Sequence, residues 1–360
     1  MLTPFDDYPI HQTSQPVAHT ASADLNHYDR YFFNGYAADG SLFFGAALGL
    51  YPNRQVIDGA FSVVVDGEQR SVHASGRCPA GRTPTAVGSV RVAVVEPLRR
   101  LRVVVEAPEH GLAAELTFTG RGEAVEEPPF LLRQGSRTLM DYTRLTQLGT
   151  WAGWVDVDGH RHDVDGLAGC RDRSWGIRPV GERAPGAPGP LPQFFWLWAP
   201  LSFPSFGTLF DVQEDADGRR WHHGGAVVAP DGPAEHVVGV DHRVAWEPGT
   251  RRMASAELDL LLHGGRRHTI ALEPLLHFQM LGLGYLHPEW GHGVWKGELA
   301  VAGERWPVPV ADPLAVQHLH VQTLVRATVD GGEVGVGVLE QLVIGPHGPS
   351  GLTGLLDGAP

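Results

Sequence analysis

Residues 169–179 read GCRDRSWGIRP and differ in composition from the strand-like segments on either side of them. They place three arginines, one carboxylate, one hydroxyl and one indole close together, with two glycines and a proline. A carboxylate that is buried without a partner costs several kcal/mol or takes up a proton. If Asp172 is buried, its candidate partners are therefore Arg171, Arg173 and Arg178. The sequence leaves two interpretations open, an ion-pair tie at a domain junction and a polar functional site.

The ion-pair interpretation makes a prediction about stability. Replacing Asp172 by Asn in an interior site would leave neighbouring guanidinium groups buried and unpaired. The expected loss in the free energy of unfolding is on the order of 3 kcal/mol.

On both sides of this segment, apolar and polar residues alternate with the two-residue period of half-buried antiparallel strands. Residues 61–65 alternate in this way before a turn at Asp66-Gly67. Residues 151–157 are followed by Asp158-Gly159, a dipeptide typical of two-residue hairpins. Residues 206–212 repeat the pattern in the second half of the chain. These segments indicate strands throughout the sequence.

Helical patterns are confined to two short windows, which begin near Pro288 and Pro313. Antiparallel strands with frequent Gly and Pro turns are typical of sandwiches and barrels, and barrels remove the exposed sheet edge. The sequence therefore predicts an all-β protein with two barrels or sandwiches in tandem. Residues 181–192 (GERAPGAPGPLP) are the segment richest in Pro and Gly. We place the domain boundary there, with one domain at 1–185 and the other at 186–360.

Charge and composition exclude several classes of partner. The chain has 28 Lys and Arg against 41 Asp and Glu, a formal net charge of −13 at pH 7. Nucleic acids and anionic membrane surfaces repel such a protein. The first residues lack a basic region followed by an apolar run, and no later stretch is apolar over about 18 residues. We therefore expect a cytoplasmic protein without a membrane span.

Sequence motifs for cofactors and metals are absent. The chain has no Gly-x-Ser-x-Gly, no Walker loop, no Gly-x-Gly-x-x-Gly that opens a helix and no His-Glu-x-x-His. Its two cysteines, Cys78 and Cys170, are far apart and have no metal-ligand spacing. His318 and His320 would share one face of a strand, but no carboxylate completes a recognisable metal site. The sequence therefore predicts neither a cofactor nor a metal.

Two aromatic concentrations are candidates for a pocket wall. Residues 281–293 (LGLGYLHPEWGHG) contain two aromatic rings, two imidazoles and a carboxylate among glycines. Residues 193–198 (QFFWLW) are mostly aromatic. Both segments fit the wall of a cavity for a large apolar ligand, and both fit ordinary core packing or a β-bulge.

Residues 170–176 (CRDRSWG) resemble the Tyr-His-Asp-His-Asn-Trp-Gly signature of the hydroxyneurosporene synthase (carotenoid 1,2-hydratase) superfamily. That superfamily also contains AttH-like proteins and, more remotely, lipocalin-like cyclases of natural-product pathways. The resemblance implies two lipocalin-like β-barrels in tandem. Three positions match the signature, namely Asp172, Trp175 and Gly176. Arg171 and Arg173 stand where the signature has histidines, and Ser174 stands where it has asparagine. An arginine cannot protonate an alkene, because its pKa is above 12.

The resulting functional hypothesis is a cofactor-independent enzyme that acts on a bulky apolar molecule, such as an isoprenoid, a steroid or a polyketide. The reaction would be a hydration, isomerisation or cyclisation inside a barrel cavity. Asp172 is predicted to be the acid/base group or to orient the group that is. Arg171, Arg173 and Arg178 are predicted to tune the charge of Asp172. The predicted ligand-binding residues are Trp175, Arg178, Trp196, Trp198, Tyr285, His287, Trp290 and His292.

The alternative is a non-catalytic lipid-binding or small-molecule-binding protein of the lipocalin-like type. In such a protein, the Asp and Arg side chains would only tie the two barrels together. The enzyme requires a carboxylate or an imidazole that faces the largest apolar pocket. The sequence leaves the ligand, the reaction and the oligomeric state open.

Overall fold

The structure is a computed structural model that describes residues 1–11, 13–181, 192–230 and 232–360. Within these ranges the regular elements are antiparallel β-strands and short 3₁₀ helices. The predicted all-β class is confirmed. None of the described helices has the length and apolar composition of a membrane-spanning segment.

The first thirteen strands in chain order are β1 (His27–Tyr36), β2 (Leu42–Tyr51), β3 (Val56–Val65), β4 (Glu68–Arg77), β5 (Ala86–Val87), β6 (Val90–Glu96), β7 (Arg100–Ala107), β8 (Leu112–Gly120), β9 (Val125–Glu126), β10 (Phe130–Gln134), β11 (Arg137–Val157), β12 (His160–Asp163) and β13 (Ala168–Ile177). The next ten are β14 (Phe194–Ser202), β15 (Gly207–Glu214), β16 (Arg220–Val228), β17 (Glu235–His236), β18 (Gly239–Trp246), β19 (Met253–Leu261), β20 (Arg267–Gln279), β21 (Leu299–Pro307), β22 (His320–Val329) and β23 (Glu333–Ile344). The 3₁₀ helices span Pro4–Asp7, Pro52–Arg54, Pro108–His110, His263–Gly265, Met280–Leu283, Val316–His318 and Gly348–Ser350.

These strands form two antiparallel sheets. The first sheet has the order β21-β4-β3-β2-β1-β13-β11-β8-β7-β6-β5, and β9, β10 and β12 also pair with β11. The second sheet has the order β17-β16-β15-β14-β23-β22-β20-β19-β18. Together they make a nearly closed barrel and a half-barrel, which confirms the predicted tandem of lipocalin-like barrels.

Two hairpin turns have the backbone conformation that their sequences predict. Asp66 and Gly67 have φ values of 51° and 74°, and Asp158 and Gly159 have values of 53° and 83°. Positive φ at both central residues is the mark of a type I′ turn, whose twist matches that of the flanking strands. These turns connect β3 to β4 and β11 to β12.

Strand β21 belongs to the second half of the chain but completes the edge of the first sheet. It pairs antiparallel with β4, and its register runs from Leu299 opposite Gly76 to Pro307 opposite Glu68. The segment 182–191, which contains the predicted boundary at 185/186 and most of the predicted linker 181–192, lies outside the described residues. The division into two domains remains a prediction.

The apolar core has separate parts inside each sheet and between the two sheets. Phe33 and Trp151 belong to the part inside the first sheet, and Phe195 and Leu258 to the part inside the second. Phe32, one residue before Phe33, packs instead in the layer between the sheets. Adjacent residues of a strand point to opposite faces, so the central strands of the first sheet are buried on both sides. The candidate site lies in the layer between the sheets.

Candidate functional site

A cavity of about 710 Å³ lies between the two sheets. Strands of both sheets line it, and so does the segment 284–296, which follows the 3₁₀ helix Met280–Leu283. Its aromatic wall consists of Phe32, Tyr142, Phe194, Trp196, Trp198 and Tyr285. Its acidic, basic and histidine side chains are Arg144, Asp172, Arg178, His287, Glu289, His292, Lys296, His320 and Glu340. The cavity therefore combines a cluster of aromatic rings with acidic and basic groups.

The register of the first sheet places Asp172 at this wall. On β13, Asp172 lies opposite Phe32 of β1 and opposite Thr146 of β11. Side chains that face each other across neighbouring strands share one side of a sheet. Ser174, two residues further along β13, also lines the cavity.

The electrostatic environment of Asp172 favours its protonated form. Burial raises the pKa of this carboxyl from 3.8 to about 7, against the opposing effect of the Arg144 cation. The negative charges of Glu127 and Glu340 raise the pKa further, and Arg178 lowers it. A carboxyl with a pKa near the ambient pH can both donate and accept a proton.

Arg171 and Arg173 do not face the cavity, because they alternate with Asp172 along β13. Arg171 forms an ion pair with Asp7, with a distance of 2.5 Å between Nη1 and Oδ1. Arg173 forms a second pair with Asp29, also at 2.5 Å. The four side chains of these pairs are almost completely buried. The sequence interpretation that joined the two arginines to Asp172 is therefore wrong, since each has its own carboxylate on the opposite face of the strand.

An ion-pair tie between the two sheets does exist, but Arg144 makes it. Arg144 of β11 donates to Glu127 through Nε at 2.7 Å and to Asp211 of β15 through Nη2 at 2.7 Å. Trp196 Nε1 donates to Asp211 at 2.8 Å, and the Arg144 guanidinium lies 5.5 Å from the centre of the Trp196 ring. This network joins β11 of the first sheet to β15 of the second.

Arg178 lies on the cavity wall beside the segment that follows Met280–Leu283. Its Nη2 atom is 3.0 Å from His292 Nδ1, and its guanidinium lies 4.5 Å from the centre of the Tyr28 ring.

The close approach of Met280–Leu283 to the first sheet depends on Gly282. A Cβ atom there would lie 2.4 Å from the Ser62 hydroxyl oxygen.

The second sheet contributes a histidine and a glutamate. His320 Nε2 lies 2.5 Å from Glu340 Oε1, and Gln322 donates to Glu340 Oε2 at 2.6 Å. Among the described residues, His320 Nδ1 has no hydrogen-bond partner. The carboxylate fixes the ring with Nε2 as the donor, which leaves the lone pair on Nδ1 when the ring is neutral. His318, which the sequence places on the same strand face, is instead half-buried at the end of the 3₁₀ helix Val316–His318 and contacts the Asp312 carbonyl oxygen.

The structure brings most of the predicted ligand-binding side chains to the cavity, namely Arg178, Trp196, Trp198, Tyr285, His287 and His292. Trp175 lies elsewhere, because it is on the Arg173 face of β13 and stacks on His11 at 3.9 Å between ring centres. Trp290 stacks on His73 of β4 and is also not part of this wall.

Sequence reasoning missed Arg144 and Glu340 and considered His320 only as a metal ligand. Glu340 is a charged residue within the otherwise apolar run GVGVLEQLVI at 335–344, and a charge in such a strand is a recognisable signal of a buried site. The motif signature contains no comparable signal for Arg144, which becomes a neighbour of residues 172–174 only through strand pairing.

One group of described residues has donor atoms close enough to hold a metal ion, within 4.8 Å of one another: His73, His287 and Glu304. The hydrogen bonds of His287 do not fit that role. Its Nδ1 atom accepts from the backbone N–H groups of Glu289 and Trp290, at 3.0 and 2.8 Å. The ring proton therefore sits on Nε2, which donates to Glu304 at 2.9 Å. We assign no metal to this group.

Comparisons with known proteins identify the family and support the fold. Solved structures with a similar fold include one assigned to AttH from Nitrosomonas europaea, with 13% identity and a TM-score of 0.59, covering 88% of this chain and 92% of that one. Another is kievitone hydratase from Nectria haematococca, with 12% identity and a TM-score of 0.54, covering 88% of each chain. At 13% and 12% identity, these similarities show a shared fold.

No curated protein matches the sequence. The sequence model of a family of unknown function, DUF8625, matches residues 2–353. Because the match spans nearly the whole chain, the protein belongs to the DUF8625 family.

Proposed function

We propose that the protein is a cofactor-independent enzyme that transfers protons to and from a bulky hydrophobic molecule in the cavity between the sheets. The observation that carries the proposal is Asp172, a carboxyl with a pKa of about 7 in a cavity wall that also holds six aromatic side chains. The reaction class is hydration, isomerisation or cyclisation of an unsaturated substrate such as an isoprenoid, a steroid or a polyketide. Each of these reactions can begin when a carboxylic acid protonates a carbon–carbon double bond.

A hydration at this site requires no cofactor, because Asp172 and water supply every atom and proton that the reaction needs. The Asp172 carboxyl gives its proton to one alkene carbon, and the other carbon becomes cationic. The faces of Trp196 and Trp198 stabilise that charge electrostatically. Water adds to the cation, and the proton that it loses returns to the Asp172 carboxylate. In an isomerisation or cyclisation, the same carboxylate instead removes a proton from a neighbouring carbon.

His320 is the second group that we assign to this chemistry. Glu340 orients its ring, and the unpaired Nδ1 atom can accept a hydrogen bond from the attacking water and so position it, while the proton that the water loses returns to Asp172. The Asp172 side chain comes from the first sheet and the His320 side chain from the second. A substrate between the sheets would therefore contact both groups.

The same features favour an enzyme over a passive carrier. A carrier for apolar ligands needs an apolar wall, and buried ionisable groups without a full set of partners would weaken binding. Kievitone hydratase, which is named for a hydration reaction, shares the fold and supports the reaction class. The alternative of a non-catalytic binding protein makes a different prediction in the experiment below.

The experiment incubates the protein with a panel of isoprenoids, steroids and polyketides and follows products by chromatography and mass spectrometry. Hydration adds the mass of water, whereas isomerisation and cyclisation change only retention. We expect Asp172→Asn to lower turnover by about 10²–10⁴-fold while ligand affinity, measured by tryptophan quenching, stays within about threefold. Above about pH 7, kcat/KM should fall, because the protonated form of Asp172 is lost.

The control is Asp141→Asn, which changes an exposed carboxylate on the neighbouring strand β11. It should leave turnover unchanged. Undiminished turnover in Asp172→Asn would refute the proposed role of Asp172. Binding of panel compounds without conversion of any of them would favour the binding-protein alternative.

A further inference from the structure

Arg178 is a cation on the cavity wall whose hydrogen bonds leave most of its donors unused. A guanidinium has five N–H donors, and the described residues accept only one of them, at His292 Nδ1. Among the described residues, Arg178 forms no ion pair with a carboxylate, and its one hydrogen-bond partner is His292. By contrast, Arg144, Arg171 and Arg173 each have a carboxylate partner.

His292 positions Arg178 without neutralising it. Its Nε2 atom is 2.9 Å from the Leu283 carbonyl oxygen, which can only accept, so Nε2 carries the proton. Nδ1 then holds the lone pair that accepts from Arg178, and the ring is neutral. Burial, helped by the charges of Arg30 and Arg178, holds the pKa of His292 well below its ordinary value.

The aromatic neighbours of Arg178 are also neutral. Its guanidinium lies 4.5 Å from the centre of the Tyr28 ring and 5.6 Å from that of Tyr285. Burial raises the pKa of Tyr28 to about 12 and also raises that of Tyr285. Both phenols therefore keep their protons at neutral pH. These contacts hold the cation by its interaction with the ring faces, but they supply no negative charge.

We infer that Arg178 binds an anionic oxygen of the substrate, so that the substrate class is an apolar molecule with one carboxylate, phenolate or enolate oxygen. This inference rests on the proposed function and adds a polar anchor to it. The apolar body would lie along Trp196 and Trp198, and the charged oxygen would accept the free donors of Arg178. A charge-assisted hydrogen bond in a water-poor cavity gives strong discrimination in favour of the anion.

Anion binding at Arg178 would also act on Asp172. The Arg178 cation lowers the pKa of the Asp172 carboxyl, so an anion that offsets this charge raises that pKa again. Near neutral pH, binding should therefore be accompanied by proton uptake at Asp172. An anionic substrate would thus keep the proposed acid in its active form.

The test compares all-trans-retinoic acid with retinol, which have the same apolar body and differ in the charged oxygen. Affinities are measured by tryptophan quenching near pH 7.5. We expect the wild-type protein to bind the acid at least about tenfold more tightly than the alcohol. Arg178→Gln should remove this preference by weakening the acid about tenfold, while the affinity for retinol stays within about twofold. Arg133→Gln, which changes an exposed arginine on β10, is the matched control and should change neither affinity.

The possible outcomes separate this inference from the proposed function. Equal affinities for acid and alcohol in the wild-type protein would overturn the anion site but leave an apolar substrate and the role of Asp172 in place. A preference for the acid that persists in Arg178→Gln would also overturn it, because another group would then bind the anion. Failure of the protein to bind either compound would count against both. The wild-type comparison needs no variant, so it remains decisive if Arg178→Gln does not fold.

Discussion

Asp172 and its neighbours on β13 show how successive residues of one strand enter opposite environments. Arg171 and Arg173 are buried together with their own carboxylates inside the first sheet. Asp172 faces the cavity and forms no ion pair with any described residue, and burial raises its pKa. Its ionised form is therefore a cost to the folded state at neutral pH.

The first prediction follows from this cost. The pKa of Asp172 is about 7 in the folded protein, whereas the ordinary value for an aspartate side chain is 3.8. Because folding raises the pKa, the carboxyl contributes most stability below about pH 4 and loses that contribution as the pH rises towards 7. Asp172→Asn stays neutral throughout. We expect it to match the wild-type free energy of unfolding near pH 4 and to exceed it by about 4 kcal/mol near pH 8.

Urea unfolding of both proteins at a series of pH values measures this difference. The expectation has the opposite sign to the one drawn from sequence alone, in which Asp172→Asn loses about 3 kcal/mol. The reason for the reversal is that Arg171 and Arg173 keep their own carboxylates when Asp172 changes. A wild-type protein that is more stable than the variant near pH 8 would show that Asp172 has a strong ion pair.

The sequence identified Asp172 as a special carboxylate but misjudged its surroundings. Composition showed the charges of residues 171–173 without showing which of them share a face. Two-residue alternation, applied within the motif as it was applied elsewhere, would have separated Asp172 from the arginines that flank it. The contribution of Glu340 to the same site comes from strand pairing far along the chain, which local patterns do not specify.

At the scale of elements, the N-terminal arm, which consists of the residues before β1, is tied to the first sheet by a buried ion pair. Asp7, at the end of the 3₁₀ helix Pro4–Asp7, is fully buried and pairs with Arg171, which is 164 residues away in sequence. The Leu98 N–H also donates to Asp7, and His11 of the arm stacks on Trp175. Local sequence patterns do not predict this burial, because the partner is so distant in the chain.

The second prediction tests this tie. Asp7→Asn leaves the buried Arg171 without its counter-charge, so we expect the free energy of unfolding to fall by about 3 kcal/mol. The double variant Asp7→Leu/Arg171→Met removes both charges and should be more stable than Asp7→Asn. Asp6→Asn, a half-buried neighbour in the same helix, should cost less than about 1 kcal/mol. Guanidinium chloride unfolding measures all three. Equal stabilities of Asp6→Asn and Asp7→Asn would mean that the arm does not depend on this pair.

At the scale of the whole molecule, the two halves of the chain share one structure. Strand β21 completes the first sheet, Arg144 joins the sheets, and the cavity needs residues from both. The class and the tandem architecture were predictable, because alternation and turn residues are local signals. The pairing of β21 with β4 and the formation of the cavity were not predictable, because both depend on which distant strands pair.

The third prediction concerns the proposed boundary at 185/186. Residues 1–185 alone would leave β4 as an unpaired edge, and exposed edges promote aggregation. We expect 1–185 to be largely insoluble when it is produced alone. Co-production with 186–360, which contains β21, should recover soluble protein that elutes with its partner. A soluble, cooperatively folded 1–185 fragment would instead show that the first domain is independent of β21.

Because β21 lies late in the chain, a ribosome completes it well after it has completed β4, the strand with which β21 pairs. At about 5–20 residues per second, a ribosome needs roughly ten to fifty seconds to proceed from Arg77, the last residue of β4, to Pro307, the last of β21. Throughout that interval the nascent first sheet presents the hydrogen-bonding groups of β4 without their final partner. The amount of protein that a cell obtains would then depend on the pace of translation and on chaperones that cover this edge, and not only on the stability of the finished fold.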